Sequence, residues 1–303
     1  MFCGVMRFQT YRVCDMETKK IENVSMAGKR VIITGPTSGF GKEIAVQLAL
    51  SGADIVLACR DVQLGENTAD EIARRTGAKN CVVMQIDTSN QKSIHEFSRQ
   101  FCKRYSRLDV LINNAGINRS QRQMSADGIE LTFATNVLGY FCLTRDLLDL
   151  LRTSAPARIV NVASSYASDL DLADLQFDHR VYEGRKAYAQ SKACDRMLTW
   201  AFARRLDGSG VTANAMAPGL VVNTGLYRDT APMIRLILRL VSLRFGRSVA
   251  QGADTAIWLA SSPEVEGVNG KFFDQRREVS CQFRNVEAEE KLWSICEGLT
   301  GSV

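Results

Sequence analysis

A tyrosine and a lysine four residues apart are the clearest candidates for proton transfer in this sequence. Tyr188 and Lys192 lie in a segment with a helical pattern, so their side chains would project from one face of the helix. A nearby ammonium favours a phenolate and lowers a tyrosine pKa from about 10 toward neutral pH. We therefore predict that Tyr188 is a general acid and base whose pKa Lys192 lowers. Such a pair is also common on helix surfaces, so the neighbouring segments decide between the two interpretations.

Two adjacent serines end the fifth apolar run of the chain, at Asn161-Val162-Ala163-Ser164-Ser165. Open parallel sheets bind ligands at the carboxyl ends of their strands, so one of these hydroxyls would face the crevice. A hydroxyl there stabilises negative charge that develops on a substrate oxygen. The residues alone leave both Ser164 and Ser165 open for this role.

A glycine-rich segment, Thr34-Gly35-Pro36-Thr37-Ser38-Gly39-Phe40-Gly41, joins the first apolar run to a helical pattern. Its glycines allow a sharp turn and leave the backbone open to a ligand. The free N–H groups and the positive dipole at a helix start suit a pyrophosphate. We therefore predict a nucleotide at this turn, with a plain structural turn as the alternative. The contacts would come from Gly35, Thr37, Ser38, Gly39, Phe40 and Gly41.

Short β-branched runs alternate with longer amphipathic segments along most of the chain. We predict strands at 30–34, 54–59, 81–86, 109–112, 157–162, 211–215 and 270–273. Runs that are apolar on both faces and separated by helices are typical of a parallel sheet covered by helices on both sides. The sequence thus predicts a single doubly wound α/β domain at 29–275, with about seven strands. Residues 1–28 would be a loosely ordered extension, and 276–303 a tail with a short helix at 287–296.

Composition excludes several classes of function. The 303 residues include 38 Lys or Arg and 33 Asp or Glu, and a net charge of +5 without a basic patch argues against nucleic acid as a partner. Nine scattered cysteines without a C-x-x-C pair, and only two histidines, argue against disulfides and against a metal site. They fit a reducing compartment, so we predict a cytoplasmic protein without a signal peptide or a membrane-spanning helix.

These segments together resemble the short-chain dehydrogenase/reductase family. The motifs that carry the resemblance are the G-x-x-x-G-x-G turn, Asn113-Asn114-Ala115-Gly116, Tyr188-x-x-x-Lys192 and Pro218-Gly219, in the order typical of the family. The resemblance implies a Rossmann fold, a nicotinamide cofactor, and hydride transfer between a carbonyl and an alcohol.

The resemblance also implies roles for individual residues. It selects Ser164 as the donor to the substrate oxygen, and Asn136 as the support of a water bridge to Lys192, with a purely structural Asn136 as the alternative. Lys192 would also bind the nicotinamide ribose. Beyond the glycine-rich turn, the implied cofactor contacts are Asp87, Thr88, Asn114, Ala115, Gly116, Tyr188, Lys192, Pro218, Gly219, Val221 and Thr224.

The end of the second apolar run favours NADP(H) over NAD(H). In Ala58-Cys59-Arg60-Asp61, a cysteine stands where an acid would accept the ribose 2′-hydroxyl of NAD. Arg60 follows it, and an arginine suits the 2′-phosphate of NADP. A solvated Arg60 paired with Asp61 is the alternative.

Within the family, the chain resembles the retinol dehydrogenase-like branch. The resemblance rests on the wide gap between Ser164 and Tyr188, on residues 186–192, and on Gly270-Lys271-Phe272-Phe273. It implies a small lipophilic substrate, a retinal-like aldehyde, a ketone or the matching alcohol. We expect no N-terminal membrane anchor of the kind several relatives carry, and we expect the acidic residues in the gap to form a solvated loop rather than a metal site.

Residues 225–246 combine apolar side chains with a stripe of arginines, at the position of a substrate lid in the family. They suit a lipophilic substrate and peripheral contact with a membrane. A helix in a homodimer interface or on the core is the alternative. Two other functions stay open for the whole chain: an NADPH enzyme similar to protochlorophyllide reductases, and a non-catalytic NADP-sensing scaffold.

Overall fold

The structure is a computed structural model, and it describes residues 24–168, 170–219, 221 and 246–301. Within these ranges, eight strands form one sheet. They are β1 (Arg30–Thr34), β2 (Asp54–Cys59), β3 (Cys81–Gln85), β4 (Val110–Asn113), β5 (Ala157–Val162), β6 (Val211–Ala217), β7 (Phe272–Asp274) and β8 (Arg277–Glu278). Each of the seven predicted apolar runs contributes a strand, and the two-residue β8 was not predicted.

The order of the strands confirms the doubly wound α/β prediction. The sheet runs β3-β2-β1-β4-β5-β6-β7-β8, with β1 to β7 parallel and only β8 antiparallel. The chain reverses its winding direction between β1 and β4, which lie side by side. Ligands of such sheets bind where this reversal opens a crevice, at the carboxyl ends of the strands. The candidate site is therefore expected beside the ends of β1, β4 and β5.

Helices cover both faces of the sheet. They are α1 (Gly39–Leu50), α2 (Val62–Thr76), α3 (Gln91–Arg104), α4 (Leu131–Phe133), α5 (Gly139–Asp146), α6 (Leu148–Thr153), α7 (Gly184–Arg205), α8 (Val249–Ser261) and α9 (Val286–Thr300). A π-helical turn, Ala134–Leu138, joins α4 to α5. Helix α1 packs beside α8 on one face, whereas α3 packs beside α5 and α7 beside α9 on the other.

Alternate side chains of each central strand enter two separate hydrophobic cores. In β1, Ile32 joins the core beneath α5, α7 and α9, while Val31 and Ile33 join the core beneath α1 and α8. All three side chains are fully buried. Burial on both faces explains why these strands are uninterrupted apolar runs rather than alternating ones.

The C-terminal helix is longer than predicted and contributes to the core. Helix α9 extends over Val286–Thr300, against the predicted 287–296. Its Trp293 ring lies 4.9 Å from the Phe141 ring and 4.8 Å from the Phe202 ring, both edge-on, and the Arg205 guanidinium lies 3.8 Å from its centre. These contacts attach α9 firmly to α5 and α7.

The connection from β5 to α7 is more ordered than a solvated acidic loop. Asp174 is 7% exposed and forms an ion pair with Arg180 at 3.0 Å, and Asp178 pairs with Arg122 at 2.5 Å. The expectation of a solvated loop is therefore wrong for Asp174, because Arg180 and backbone N–H groups satisfy its carboxylate. Asp169 lies outside the described residues.

Candidate active site

Helix α7 brings Tyr188 and Lys192 to the carboxyl end of β5. The Lys192 ammonium donates a hydrogen bond of 3.0 Å to the carbonyl of Val162, the last residue of β5. The Ser164 hydroxyl, two residues later, interacts with the Tyr188 phenol and favours its ionised form. The structure thus brings together the serine, tyrosine and lysine that the sequence selected.

The predicted lowering of the Tyr188 pKa is wrong for this structure. Burial and, to a smaller extent, the Asp195 carboxylate raise the pKa of Tyr188 to about 12, against the opposing effect of Ser164. The Lys192 ammonium lies 6.0 Å from the centre of the Tyr188 ring. The hydrogen bonds of this ammonium go to the Val162 carbonyl and to the Asp195 carboxylate.

The partner of Lys192 is Asp195, one turn further along α7. The ammonium and the Oδ2 atom of Asp195 are 2.7 Å apart, and the two side chains are 4% and 0% exposed. Burial alone would lower the pKa of Lys192, but Asp195 and Tyr140 outweigh it and raise that pKa. Lys192 is therefore held as a cation inside the protein.

Asn136 holds the loop after β4 against α7. From the π-helical turn, its Oδ1 accepts from the Ile117 N–H at 2.9 Å, and its Nδ2 donates to the Ile117 carbonyl at 3.0 Å and to Ser191 at 2.9 Å. A Cβ atom at Gly116 would lie 3.4 Å from the Asn136 Oδ1 and 3.7 Å from the Lys192 Nζ. Asn136 thus satisfies backbone groups, as the structural alternative expected, and its Oδ1 and the Lys192 Nζ both lie beside Gly116.

The surroundings of the two serines distinguish them. Ser164 is half-buried and its hydroxyl accepts from the Tyr166 N–H at 3.0 Å, whereas Ser165 is exposed. The carbonyl of Ser164 also accepts a hydrogen bond from the Arg196 guanidinium, which lies 3.9 Å from the Phe272 ring. Arg196 therefore fixes the backbone that carries Ser164.

Asn114 ties the glycine-rich turn to the end of β4. Its side-chain amide donates to the carbonyls of Thr34 at 2.7 Å and Gly35 at 3.1 Å, and the Thr34 hydroxyl accepts from the N–H groups of Asn114 and Ala115. Gly35 has φ +63°, a left-handed conformation that favours glycine. The turn and the Asn113-Asn114-Ala115-Gly116 motif therefore form one unit at the crevice.

The start of α1 suits a nucleotide phosphate. The Ser38 side chain makes no capping bond to α1, so the first N–H groups of the helix lack a side-chain acceptor. Thr37, Gly39 and Phe40 are half-buried beside it. The Asn114 Oδ1 is buried without a hydrogen-bond partner among the described residues. This orphaned acceptor and the bare helix start fit a ligand rich in phosphate and hydroxyl groups.

The residues predicted around the adenosine lie at the ends of β2 and β3. Arg60 is exposed after β2, and its carbonyl accepts from Gln85 at 3.3 Å. Asp61 caps α2 by accepting from the Leu64 N–H at 3.0 Å. Asp87 is half-buried and accepts from Ser89, whereas Thr88 is buried.

The segment after β6 is described only in part. Pro218 precedes Gly219, whose φ is +75°, and Val221 is 5% exposed. A Cβ atom at Gly252 of α8 would lie 2.8 Å from Val221, so this segment packs closely on α8. Thr224 and residues 225–245 of the predicted lid lie outside the described residues.

Known proteins are similar to this chain over most of its length. The family model "short chain dehydrogenase" matches residues 29–234. The chain belongs to this family. This chain is 40% identical to retinol dehydrogenase 12 of Mus musculus over 280 residues, which cover 91% of this chain and 87% of the relative. It is 36% identical to retinol dehydrogenase 14 of Homo sapiens over 294 residues, with the same coverage.

Solved structures support the same assignment. An uncharacterized protein from Mycobacterium paratuberculosis is 30% identical, with a TM-score of 0.73 over 91% of this chain and 95% of that one. The Pseudomonas aeruginosa RhlG/NADP complex is 27% identical, with a TM-score of 0.66 over 82% and 95%. The short-chain dehydrogenase is thus an oxidoreductase of the retinol dehydrogenase-like kind, in a family that uses nicotinamide cofactors.

Two charged residues of this short-chain dehydrogenase escaped the sequence predictions. Asp195 and Arg196 are both buried beside Lys192 and Ser164. Their spacing of three and four residues from Lys192 places them on the same side of α7, and this spacing is the feature of the sequence that could have identified them. Cys194 between Lys192 and these residues is fully buried, as predicted for a small apolar side chain.

The described residues contain neither a cluster that could bind a metal nor a helix that could span a membrane. No three His, Cys, Asp or Glu side chains there are placed to hold a metal ion. No helix among them has the length and hydropathy needed to cross a membrane.

Proposed function

We propose that the protein is an NADP(H)-dependent oxidoreductase that interconverts an apolar, retinal-like aldehyde or ketone and its alcohol. The observation that carries the proposal is the meeting of Ser164, Tyr188 and Lys192 at the carboxyl end of β5, beside a glycine-rich turn at the end of β1. The names of the retinol dehydrogenase relatives support the substrate class.

The cofactor would lie across the crevice between β1 and β4. The start of α1 would bind its pyrophosphate, and Gly35, Gly39 and Gly41 would leave room for it. Asn114 and Lys192 would bind the ribose on the nicotinamide side, while Pro218, Gly219, Val221 and Thr224 would line the nicotinamide. When bound, the nicotinamide supplies or accepts the hydride.

The proton would travel through Tyr188. In reduction, the protonated phenol donates to the carbonyl oxygen while Ser164 donates a hydrogen bond to the same oxygen. A Tyr188 pKa of about 12 keeps the phenol protonated near neutral pH, which suits this direction. In oxidation, the phenolate takes the proton from the alcohol. Asn136 would support a water that connects Lys192 to solvent.

The preference for NADP(H) rests on Arg60. Asp61 accepts the Leu64 N–H as the cap of α2, so its carboxylate has a structural role beside the exposed Arg60. An exposed guanidinium at the end of β2 can bind the 2′-phosphate with charge-assisted hydrogen bonds. Asp87 and Thr88 would flank the adenine.

The remaining proposals concern location and partners. The cysteines found free among the described residues, Cys59, Cys81, Cys102, Cys142, Cys194, Cys281 and Cys296, support a reducing, cytoplasmic location. Residues 225–246 are proposed to contact the substrate and a membrane surface, or a second copy in a homodimer. Co-sedimentation with anionic vesicles and sedimentation velocity separate these two roles.

The test is turnover by the purified protein with matched variants. NADPH and NADH are titrated by fluorescence, and nicotinamide absorbance is followed with medium-chain aldehydes, ketones and retinal. We expect consumption of NADPH with apolar carbonyls, and a Tyr188→Phe variant at least about a hundredfold slower with unchanged NADPH affinity. Tyr182→Phe is the matched control, because that phenol bonds Glu130 and Thr132 away from Lys192.

Two outcomes would contradict the proposal. Retained turnover in Tyr188→Phe would remove its role in proton transfer. Tight NADPH binding without turnover on any carbonyl of the panel would instead favour a non-catalytic NADP-binding scaffold.

A further inference from the structure

An ion pair joins the start of α8 to the carboxyl end of the sheet. Arg247 lies directly before the N-cap residue of α8, and its Nη1 atom is 2.7 Å from the Oδ1 atom of Asp274, the last residue of β7. The two side chains are 20% and 28% exposed. Asp274 pairs in register with Ala217, the last residue of β6. The ion pair therefore lies beside the point where the chain leaves β6.

The guanidinium of Arg247 covers the α-carbon of Gly219. A Cβ atom at Gly219 would lie 2.6 Å from each of the Cζ, Nε and Nη1 atoms of Arg247, which is too close for a real carbon atom. Equal distances to these three atoms mean that the flat face of the guanidinium meets the glycine. Gly219 also has φ +75°, a left-handed conformation that favours glycine. Both the backbone and the guanidinium therefore require a glycine here.

Two features keep the guanidinium in this position. A capping box fixes the backbone next to it, because Ser248 Oγ accepts from the Gln251 N–H at 3.1 Å and the Gln251 side chain accepts from the Ser248 N–H at 2.9 Å. A second ion pair, between Arg276 and Asp254, ties the turn after β7 to α8. Helix α8 cannot move away from β7 without breaking both ion pairs, so the guanidinium stays over the glycine.

Helix α8 makes a second contact with the same segment. A Cβ atom at Gly252 would lie 2.8 Å from the Cγ2 atom of Val221 and 3.5 Å from the carbonyl oxygen of Pro218. Pro218 and Val221 are thus held by the helix, while Gly219 is held by the guanidinium. These are three of the residues that the proposed function places at the nicotinamide.

We propose that Arg247 is a positioning residue that fixes Gly219 and thereby determines where the nicotinamide end of the cofactor binds. The inference rests on the proposed function, in which Pro218 and Gly219 line the nicotinamide. Because Asp274 neutralises the guanidinium, Arg247 acts through its position rather than by attracting the cofactor phosphates. Its removal therefore affects the nicotinamide half of the cofactor and leaves the adenosine half unchanged.

Binding of the whole cofactor and of its adenosine half tests this difference. Arg247→Met keeps most of the side-chain length and removes the guanidinium, and calorimetry measures the Kd of NADPH and of adenosine 2′,5′-bisphosphate, which has no nicotinamide. We expect NADPH to bind about fivefold more weakly or worse, with unchanged binding of the bisphosphate. Asp274→Asn releases the same guanidinium and should give the same selective loss. Arg276→Met is the matched control, because Arg276 joins the turn after β7 to α8 through Asp254, and it should bind both ligands as the wild type does.

A double-mutant cycle tests the contact between the guanidinium and the glycine. Urea unfolding is measured for Gly219→Ala, for Arg247→Met and for the double variant, after circular dichroism has confirmed the fold of each. Gly219→Ala should lower the folding equilibrium constant in the wild-type background. We expect this loss to be at least about threefold smaller beside Arg247→Met, because the new methyl group no longer meets the guanidinium. Additive effects of the two substitutions would overturn the proposal.

The outcomes separate this proposal from the proposed function. A wild-type protein that binds NADPH without turnover, together with a selective loss of NADPH binding in Arg247→Met, would overturn the proposed function and support the role of Arg247. Turnover by the wild type, together with equal losses of both ligands or no loss of either in Arg247→Met, would overturn the role of Arg247 and leave the proposed function standing.

Discussion

Gly41, in the first turn of α1, offers the sharpest test of the proposed cofactor site. A Cβ atom at this position would lie 2.4 Å from the Asn114 Nδ2 and 2.4 Å from the Gly35 carbonyl oxygen. Its backbone is helical, so alanine itself would be accommodated without strain. The effect of Gly41→Ala on folding stability must therefore come from the collision with the turn and with Asn114.

The size of the effect follows from these contacts. Relief of the collision requires the Asn114 amide and the turn to separate by about 1 Å, which breaks the amide bonds to Thr34 and Gly35. Two hydrogen bonds at about 1 kcal/mol each, together with overpacking of about 1–3 kcal/mol, exceed the helix-propensity gain of about 1 kcal/mol. We expect a net loss of about 2 kcal/mol or more of folding free energy. Displacement of the turn should weaken NADPH binding by about tenfold or more.

Gly298→Ala is the matched control for this experiment. Gly298 lies inside α9, and a Cβ atom there would meet nothing within 4 Å. This variant should gain about 0.5–1 kcal/mol from helix propensity and should bind NADPH as the wild type does. Urea unfolding and equilibrium fluorescence titration measure both quantities. Wild-type stability and NADPH affinity in Gly41→Ala would refute the close packing of the turn against Asn114.

Three further predictions concern the cofactor, the core and acid stability. Arg60→Ala should weaken binding of NADPH much more than that of NADH, and equal losses in fluorescence titrations would mean that Arg60 does not bind the 2′-phosphate. Trp293→Ala should lower the free energy of unfolding in urea by about 3–5 kcal/mol, because the Trp293 ring is packed between two phenylalanines and against an arginine. A decrease below about 1 kcal/mol would show that α9 is weakly attached. Hydrogen bonds from Arg205 and Arg204 lower the pKa of Glu290 from 4.5 to about 2. The ionised Glu290 therefore stabilises the folded protein at a pH above the pKa of this carboxyl in the unfolded chain. That stabilisation is lost as the pH falls toward the pKa of Glu290 in the folded protein. Glu290→Gln should accordingly destabilise the protein at neutral pH and lose less stability on acidification than the wild type.

The sequence predicted the elements that are specified by local patterns. Strands β1, β2 and β5 have the predicted bounds, because parallel strands buried on both faces leave uninterrupted apolar runs between glycine-rich or polar segments. The glycine-rich turn and Ser164, Tyr188 and Lys192 were found for a similar reason. Each motif lies at the end of a strand or on the helix that follows it, so its position in the chain is also its position in the crevice.

The features that escaped prediction depend on distant parts of the chain. Charged residues on a helix are normally solvated, and only the packing of α5 and α9 against α7 buries Asp195 and Arg196. The pKa of Tyr188 is raised rather than lowered for the same reason, since burial and Asp195 outweigh the opposing effect of Ser164. Asp174 was expected in solvent because its partner Arg180 reaches it only through the fold of the β5–α7 connection.

The place of α9 in the core has a consequence for the order of events during synthesis. Its Leu292 and Cys296 are fully buried in the same core as α5 and α7, and Trp293 fills the space between the two helices. A growing chain cannot close that core until α9 has left the ribosome. The face of α7 opposite the sheet must then stay exposed to water or to a chaperone while the preceding elements form, so that the segment carrying Tyr188 and Lys192 reaches its final packing only after α9 has emerged.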